Sequence, residues 1–134
     1  LTEIIAAHNV PYAAQTTFIG NFKDLHEKAY KAIYTEGPCF LNILSPCPRG
    51  WGYETSDIAQ ICKLAVDTCV WPMYEIEEGE WRLTYEPKKK LPVEEFLVKQ
   101  NRFKHMFKKG NEWMIEEAQT YVDEQWEKLL SRCK

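Results

Sequence analysis

The chain has 134 residues, of which 45% are hydrophobic, enough for one sizeable core. A net charge of −3 and an isoelectric point near 5.7 argue against a basic nucleic-acid surface. No apolar run approaches the roughly 20 residues of a membrane span, and no signal-peptide pattern is evident, so neither nucleic acid nor membrane is expected as a partner.

The opening "LTEIIAAHNVPY" has no initiating Met and reads as the interior of a longer protein. "VPYAAQTTF" (10–18) predicts a short strand. Asn21 is positioned to cap the helix that follows, with Asp24 in its first turn. In "FKDLHEKAYKAIYT", Phe22, Leu25, Ala29, Ala32 and Ile33 fall on one face at spacings of three and four, and Gly37-Pro38 ends the helix. "CFLNILSPC" has the length and flanks of a buried strand. Strand, helix, strand favours a parallel pair with a right-handed crossover.

The loop "PCPRGWGYETSD" then leaves the carboxyl end of that strand, where α/β proteins build their sites. Ser56 is the expected cap of the next helix, whose stripe is Ile58, Ile61, Cys62, Ala65 and Cys69. "WPMYEIEEGEWRLTYEP" alternates on both sides of Glu78-Gly79 and predicts a β-hairpin. A helix is expected from Pro92 through "VEEFLVKQNRFKHMFKKG". Asn111 would cap a last helix striped by Ile115, Ala118, Val122, Trp126 and Leu129 or Leu130. We expect one domain piece over 1–134, with an α/β part over 1–72 and a hairpin and two-helix extension over 73–134.

The five cysteines, Cys39, Cys47, Cys62, Cys69 and Cys133, are odd in number and form no C-x-x-C pair. A disulfide framework is not expected, and a reducing cytoplasm is. With three histidines (His8, His26, His105) the chain has no self-contained zinc pattern. Cys47 stands apart because Pro46 and Pro48 stiffen the backbone on both sides and remove two competing N–H donors. Gly50 and Gly52 let the chain pass close to a bulky object. Arg49 is placed to add positive charge and Trp51 to shield the object from water. From the residues alone, a turn cysteine with no role remains open beside a metal ligand. So do a thiol nucleophile and a non-enzymatic α/β interaction domain using the same loop. Cys39, Cys62 and Cys69 read as packing, and Cys133 as an incidental thiol. Gln100, Asn101 and Arg102 form a polar run, read either as an exposed helical face or as a docking surface.

"GPCFLNILSPCPRGW" resembles the segment G-P-S-h-h-h-h-h-A/S-P-C-P-x-G-W (h for apolar) of 2-oxoacid:ferredoxin oxidoreductases, in their thiamine diphosphate-binding β subunit. "VDTCVWPMYEIEEGEWRL", "LPVEEFLVKQNRF" and "LTEIIAAHNVPYAAQTT" resemble further stretches of the same subunit, in order and spacing, and the pyruvate-type branch agrees best. The likeness implies the carboxyl-terminal part of a thiamine diphosphate-binding α/β fold. It implies that Cys47 is the fourth ligand of a [4Fe–4S] cluster, with Arg49, Gly50 and Trp51 beside it. The other three cluster cysteines and the magnesium–diphosphate motif would lie upstream, so no catalytic residue is assigned here and the isolated chain would be inactive. The implied reaction is decarboxylation of a 2-oxoacid, pyruvate or a branched-chain one, to acyl-CoA with electrons passed to ferredoxin. The implied partners are the other subunits or domains, ferredoxin, coenzyme A and the 2-oxoacid.

Overall fold

A computed structural model describes residues 1–17 and 22–133. Its elements run α1 (Thr2–Ala6), β1 (Tyr12–Thr17), α2 (Phe22–Tyr34), β2 (Cys39–Leu44), α3 (Pro48–Trp51), α4 (Ile58–Asp67), β3 (Tyr74–Glu77), β4 (Glu80–Leu83), α5 (Val93–Leu97) and α6 (Glu112–Arg132). Short 3-10 turns at Thr55–Asp57 and Asn101–Phe107 precede α4 and follow α5. The expected Asn21 cap and the Phe18 end of the first strand lie outside the described residues.

The four strands form one mixed α/β sheet in the order β2-β1-β3-β4. The expected parallel pair is present: β1 and β2 run side by side from Tyr12↔Cys39 to Thr17↔Leu44, with α2 as the crossover. On the other side β3 pairs antiparallel with β1, and β4 closes the hairpin. Glu78 and Gly79 both have positive φ, at 50° and 84°, as a two-residue turn matching strand twist requires. The expected hairpin is present, with Tyr74 opposite Leu83 and Ile76 opposite Trp81, and the Tyr74 and Trp81 rings stack with centroids 5.6 Å apart. Tyr85 falls beyond the ladder and its hydroxyl donates to Asp67. The core lies where α4, α5 and α6 meet the sheet, with Ile61, Ala65, Val93, Phe96, Val122, Trp126 and Leu129 all buried.

Two expectations about burial are corrected. β2 is half-buried rather than buried, because no described strand pairs with its outer edge. And α2 is rotated away from its apolar stripe, of which Leu25, Ala29 and Ala32 are only half-buried. Phe22 and Ile33 are 71% and 75% exposed, joined on the surface by Tyr30 and Tyr34, while Asp24 and Lys28 are 6% and 1% exposed against the sheet. The reason is a hydrogen-bonded cluster that the apolar pattern does not register. Lys28 Nζ donates to Asp24 Oδ2 (2.8 Å), the Gln15 carbonyl (2.9 Å) and Thr84 Oγ1 (2.7 Å). Thr16 Oγ1 donates to the same carboxylate oxygen at 2.6 Å. Each of the three ammonium protons therefore has an acceptor, which is what a buried lysine requires. Its pKa is nonetheless lowered, by burial first, against the opposing pull of Asp24.

Two helix boundaries also differ, and one expected cap holds its position without its bond. Ser56 is not the cap of α4. It sits inside the preceding 3-10 turn, its hydroxyl meets Asp57 Oδ1 at 3.3 Å, and Asp57 takes the cap position without a side-chain bond. Asn111 holds the cap position of α6, but its amide donates to the His105 carbonyl instead of accepting from the helix. The single helix expected from Pro92 is broken after Leu97, because Gln100 adopts extended backbone and its side-chain amide takes the Phe96 carbonyl at 2.6 Å.

Glu75 ties β3 to its neighbours. It is 4% exposed and accepts from Tyr12 Oη (2.8 Å), Lys31 Nζ (2.7 Å) and Arg82 Nη1 (3.0 Å). Burial acts to raise its pKa, but the bonds from Lys31 and Tyr12 outweigh it and the carboxyl titrates below its usual 4.5. Its contribution is thus complete above pH 4.5 and is lost as pH falls through the lower folded value. Urea midpoints followed against pH should fall in that acid window, and Glu75→Gln should flatten the fall. Lys28→Met leaves a buried carboxylate without its cation, and equilibrium unfolding should register a loss on the order of 3–5 kcal/mol.

Candidate functional site

The register Thr17↔Leu44 brings the carboxyl ends of two parallel strands level, and Thr17 Oγ1 reaches the Leu44 carbonyl at 3.3 Å. From that edge the chain enters the Pro46-Cys47-Pro48 turn. Pro46 is buried and Cys47 exposed. Cys47 is the N-cap of α3, Pro48 fills the first helical position, and the Gly50 N–H points at Cys47 Sγ with N···S of 3.4 Å. A sulfur that accepts a backbone N–H is better able to hold negative charge. The Trp51 N–H closes onto the Cys47 carbonyl at 2.9 Å, so one helical turn fixes the cysteine and the tryptophan relative to each other.

Of the residues expected beside Cys47, Gly50 therefore meets its sulfur directly. Arg49 is exposed and makes no ion pair among the described residues. Trp51 is half-buried and packs edge-on against Phe96, with centroids 6.3 Å apart, and against Tyr53 at 6.4 Å. Gly52 ends the turn in the left-handed region at φ 72°. A side chain there would also meet Asn101 Cβ at 2.7 Å, so the backbone conformation and Asn101 both call for this glycine.

The loop has a second wall that the sequence pattern does not disclose. The break after α5 delivers Gln100, Asn101 and Arg102 onto it. The Asn101 N–H donates to the Gly52 carbonyl at 3.1 Å. The Arg102 guanidinium lies 3.8 Å from the Trp51 ring centroid and 4.6 Å from that of Phe103. Arg102 Nε donates to Gln100 Oε1 at 2.9 Å, and Gln100 is 1% exposed. The polar run is thus neither a plain solvated face nor, for Gln100, a surface at all. Tyr53 completes the group. Its hydroxyl is buried and has no hydrogen-bond partner among the described residues. Burial raises its pKa, negative charge on Cys62 or Cys47 would raise it further, and Arg102 pulls the other way. The phenol is a neutral donor at physiological pH.

The remaining cysteines do not join Cys47. Cys39 opens β2 while Cys47 follows its far end. Cys62 and Cys69 are buried, no cysteine is in a disulfide, and burial pushes the Cys69 thiol up to about 11. No group of three or more His, Cys, Asp or Glu among the described residues is placed to hold a metal ion. The donor set therefore fits one corner of a metal centre and no more. A surface hollow of about 480 Å³, lined in part by Ile4, Trp71, Tyr121 and Trp126, includes no residue of the Cys47 loop. No helix among the described residues is long and apolar enough to cross a membrane.

No protein-family profile matches the chain. Curated relatives do. Pyruvate synthase subunit PorB of Methanocaldococcus jannaschii is 44% identical over 124 residues, 92% of this chain. The PorB of Methanosarcina barkeri is 47% identical over 121 residues, 90% of the chain. Over most of its length the chain is thus similar to β subunits of 2-oxoacid:ferredoxin oxidoreductases. A branch with another name is similar at nearly the same level: ketoisovalerate oxidoreductase subunit VorB of Pyrococcus furiosus is 41% identical over 129 residues, 95% of the chain. The chain spans about 40% of the length of each of these β subunits.

Gly52→Ala should destabilise the protein by at least the ~1–2 kcal/mol of a left-handed non-glycine residue. Adding Asn101→Gly should restore part of the loss in urea unfolding. A double variant no more stable than Gly52→Ala would show that the contact with Asn101 is not what demands the glycine.

Proposed function

We propose that this chain is the carboxyl-terminal part of the β subunit of a 2-oxoacid:ferredoxin oxidoreductase, and that Cys47 supplies one thiolate ligand to a [4Fe–4S] cluster. The observation that carries the reading is the placement of Cys47. Its exposed sulfur stands at the exit of a parallel strand pair, between two prolines, with a backbone N–H aimed at it. Such a sulfur is held in place and open to one side, which suits a ligand to a cluster supplied by the rest of the protein. Further support comes from surfaces this length of chain leaves uncovered, namely the outer edge of β2 and the apolar face of α2. They suit contact with the rest of the subunit and with neighbouring subunits.

The complete enzyme would convert a 2-oxoacid, pyruvate first, to acyl-CoA and pass electrons to ferredoxin, in the cytoplasm. Similarity to VorB keeps a branched-chain 2-oxoacid as the second reading of the same chemistry. Thiamine diphosphate with magnesium, when bound, supplies the electron sink for decarboxylation. The chain's own residues have narrower tasks. Cys47 holds metal. The Gly50 N–H offsets charge on the sulfur. Pro46, Pro48 and the Asn101–Gly52 contact keep the loop in one shape. Trp51 limits water on its side of the loop.

Cys47→Ser in the full complex should abolish the cluster signal in electron paramagnetic resonance and lower iron content, while thiamine diphosphate stays bound. The isolated chain should be colourless and inactive. Wild-type cluster spectra and normal ferredoxin reduction in the serine variant would refute the assignment.

A further inference from the structure

Arg102 has one hydrogen bond, from Nε to Gln100, and no carboxylate partner among the described residues. Its guanidinium lies over Trp51, 3.8 Å from the ring centroid, and 4.6 Å from that of Phe103. Its Nε is fixed by a glutamine that is itself buried and anchored to the Phe96 carbonyl. Stacking and the Gln100 bond define the guanidinium's place, and its two terminal amino groups remain as donors. The tryptophan it lies on is bonded through its N–H to the carbonyl of Cys47. Tyr53, whose ring meets Trp51 edge-on with centroids 6.4 Å apart, adds a buried hydroxyl that has no hydrogen-bond partner among the described residues.

We infer that Arg102 is a positioning residue for the Cys47 loop and supplies the fixed positive charge that favours the reduced state of the group bound there. The inference rests on the reading of Cys47 as a cluster ligand. A cluster held by thiolates is anionic, and a one-electron reduction without a proton adds one negative charge while no bond forms or breaks. A nearby guanidinium stabilises the reduced form more than the oxidised form, and so raises the potential. Arg49, on the short helix that Cys47 caps, is exposed like Arg102 but makes no ion pair or ring contact among the described residues, and is the comparison residue.

The test uses the reconstituted full complex and a dithionite titration of the cluster, monitored by electron paramagnetic resonance, with iron content measured in parallel. Arg102→Gln should keep its iron and shift the midpoint potential to more negative values. Arg102→Lys should return most of that shift, since it keeps the charge. Arg49→Gln should shift it less than Arg102→Gln does. Gln100→Met, which frees the guanidinium from its anchor, should give a smaller shift in the same direction and decides the matter if Arg102→Gln does not assemble. An unshifted potential in Arg102→Gln, an equal shift in Arg102→Lys, or an unshifted Gln100→Met where Arg102→Gln cannot be made overturns the inference. A cluster that survives Cys47→Ser would instead defeat the ligand assignment, whatever Arg102 does.

Discussion

Six residues of β1 lie in parallel register with six of β2, and the Cys47 loop depends on that alignment. Parallel pairing sends both strands out at the same edge, so the chain after Leu44 emerges next to Thr17 and not at the opposite end. The crossover helix is held in place by polar bonds: Lys28 reaches across from α2 to the Gln15 carbonyl in β1 and to Thr84 just beyond β4. One buried ammonium thus joins the helix to both sides of the sheet. A hydrophobic contact in its place would tolerate small rotations of the helix, whereas the two directed bonds that this buried charge makes outside α2 do not.

The second support of the loop comes from far along the chain. Nearly fifty residues separate Gly52 from Asn101, yet they share a backbone hydrogen bond and a contact that leaves no room for a methyl group. The break after α5 makes this possible. Had the helix continued, as its composition suggests, Asn101 and Arg102 would have turned with its helical period. Gln100 interrupts it by giving its side chain to the Phe96 carbonyl, and the following 3-10 turn lays Arg102 flat on Trp51.

Much of this was legible in the residues. The parallel pair, the crossover helix, the hairpin with its turn at Glu78-Gly79 and the exposed loop thiol all follow from short-range rules: alternation, helical spacing, and proline and glycine at turns. What was not legible is instructive. Apolar periodicity gave α2 the correct length and the wrong face, because the pattern counts Asp24 and Lys28 as solvent residues when they are each other's partner. It read β2 as buried, because a strand with apolar residues on both faces looks the same whether or not a neighbour lies beside it. And it could not foresee the Gln100 break, which is made by a side chain competing for a backbone acceptor. The Arg102–Trp51 contact joins segments that no local rule connects.

The outer margin of β2 pairs with no strand among the described residues, and Ile43 on that strand is 42% exposed. Beside it, α2 turns Phe22, Tyr30, Ile33 and Tyr34 toward solvent. A ribbon of this kind is adhesive: it templates another strand, including one from an identical molecule, unless something caps it. The Cys47 loop leaves the end of that same strand, so a cap laid along the full edge would end next to the exposed sulfur.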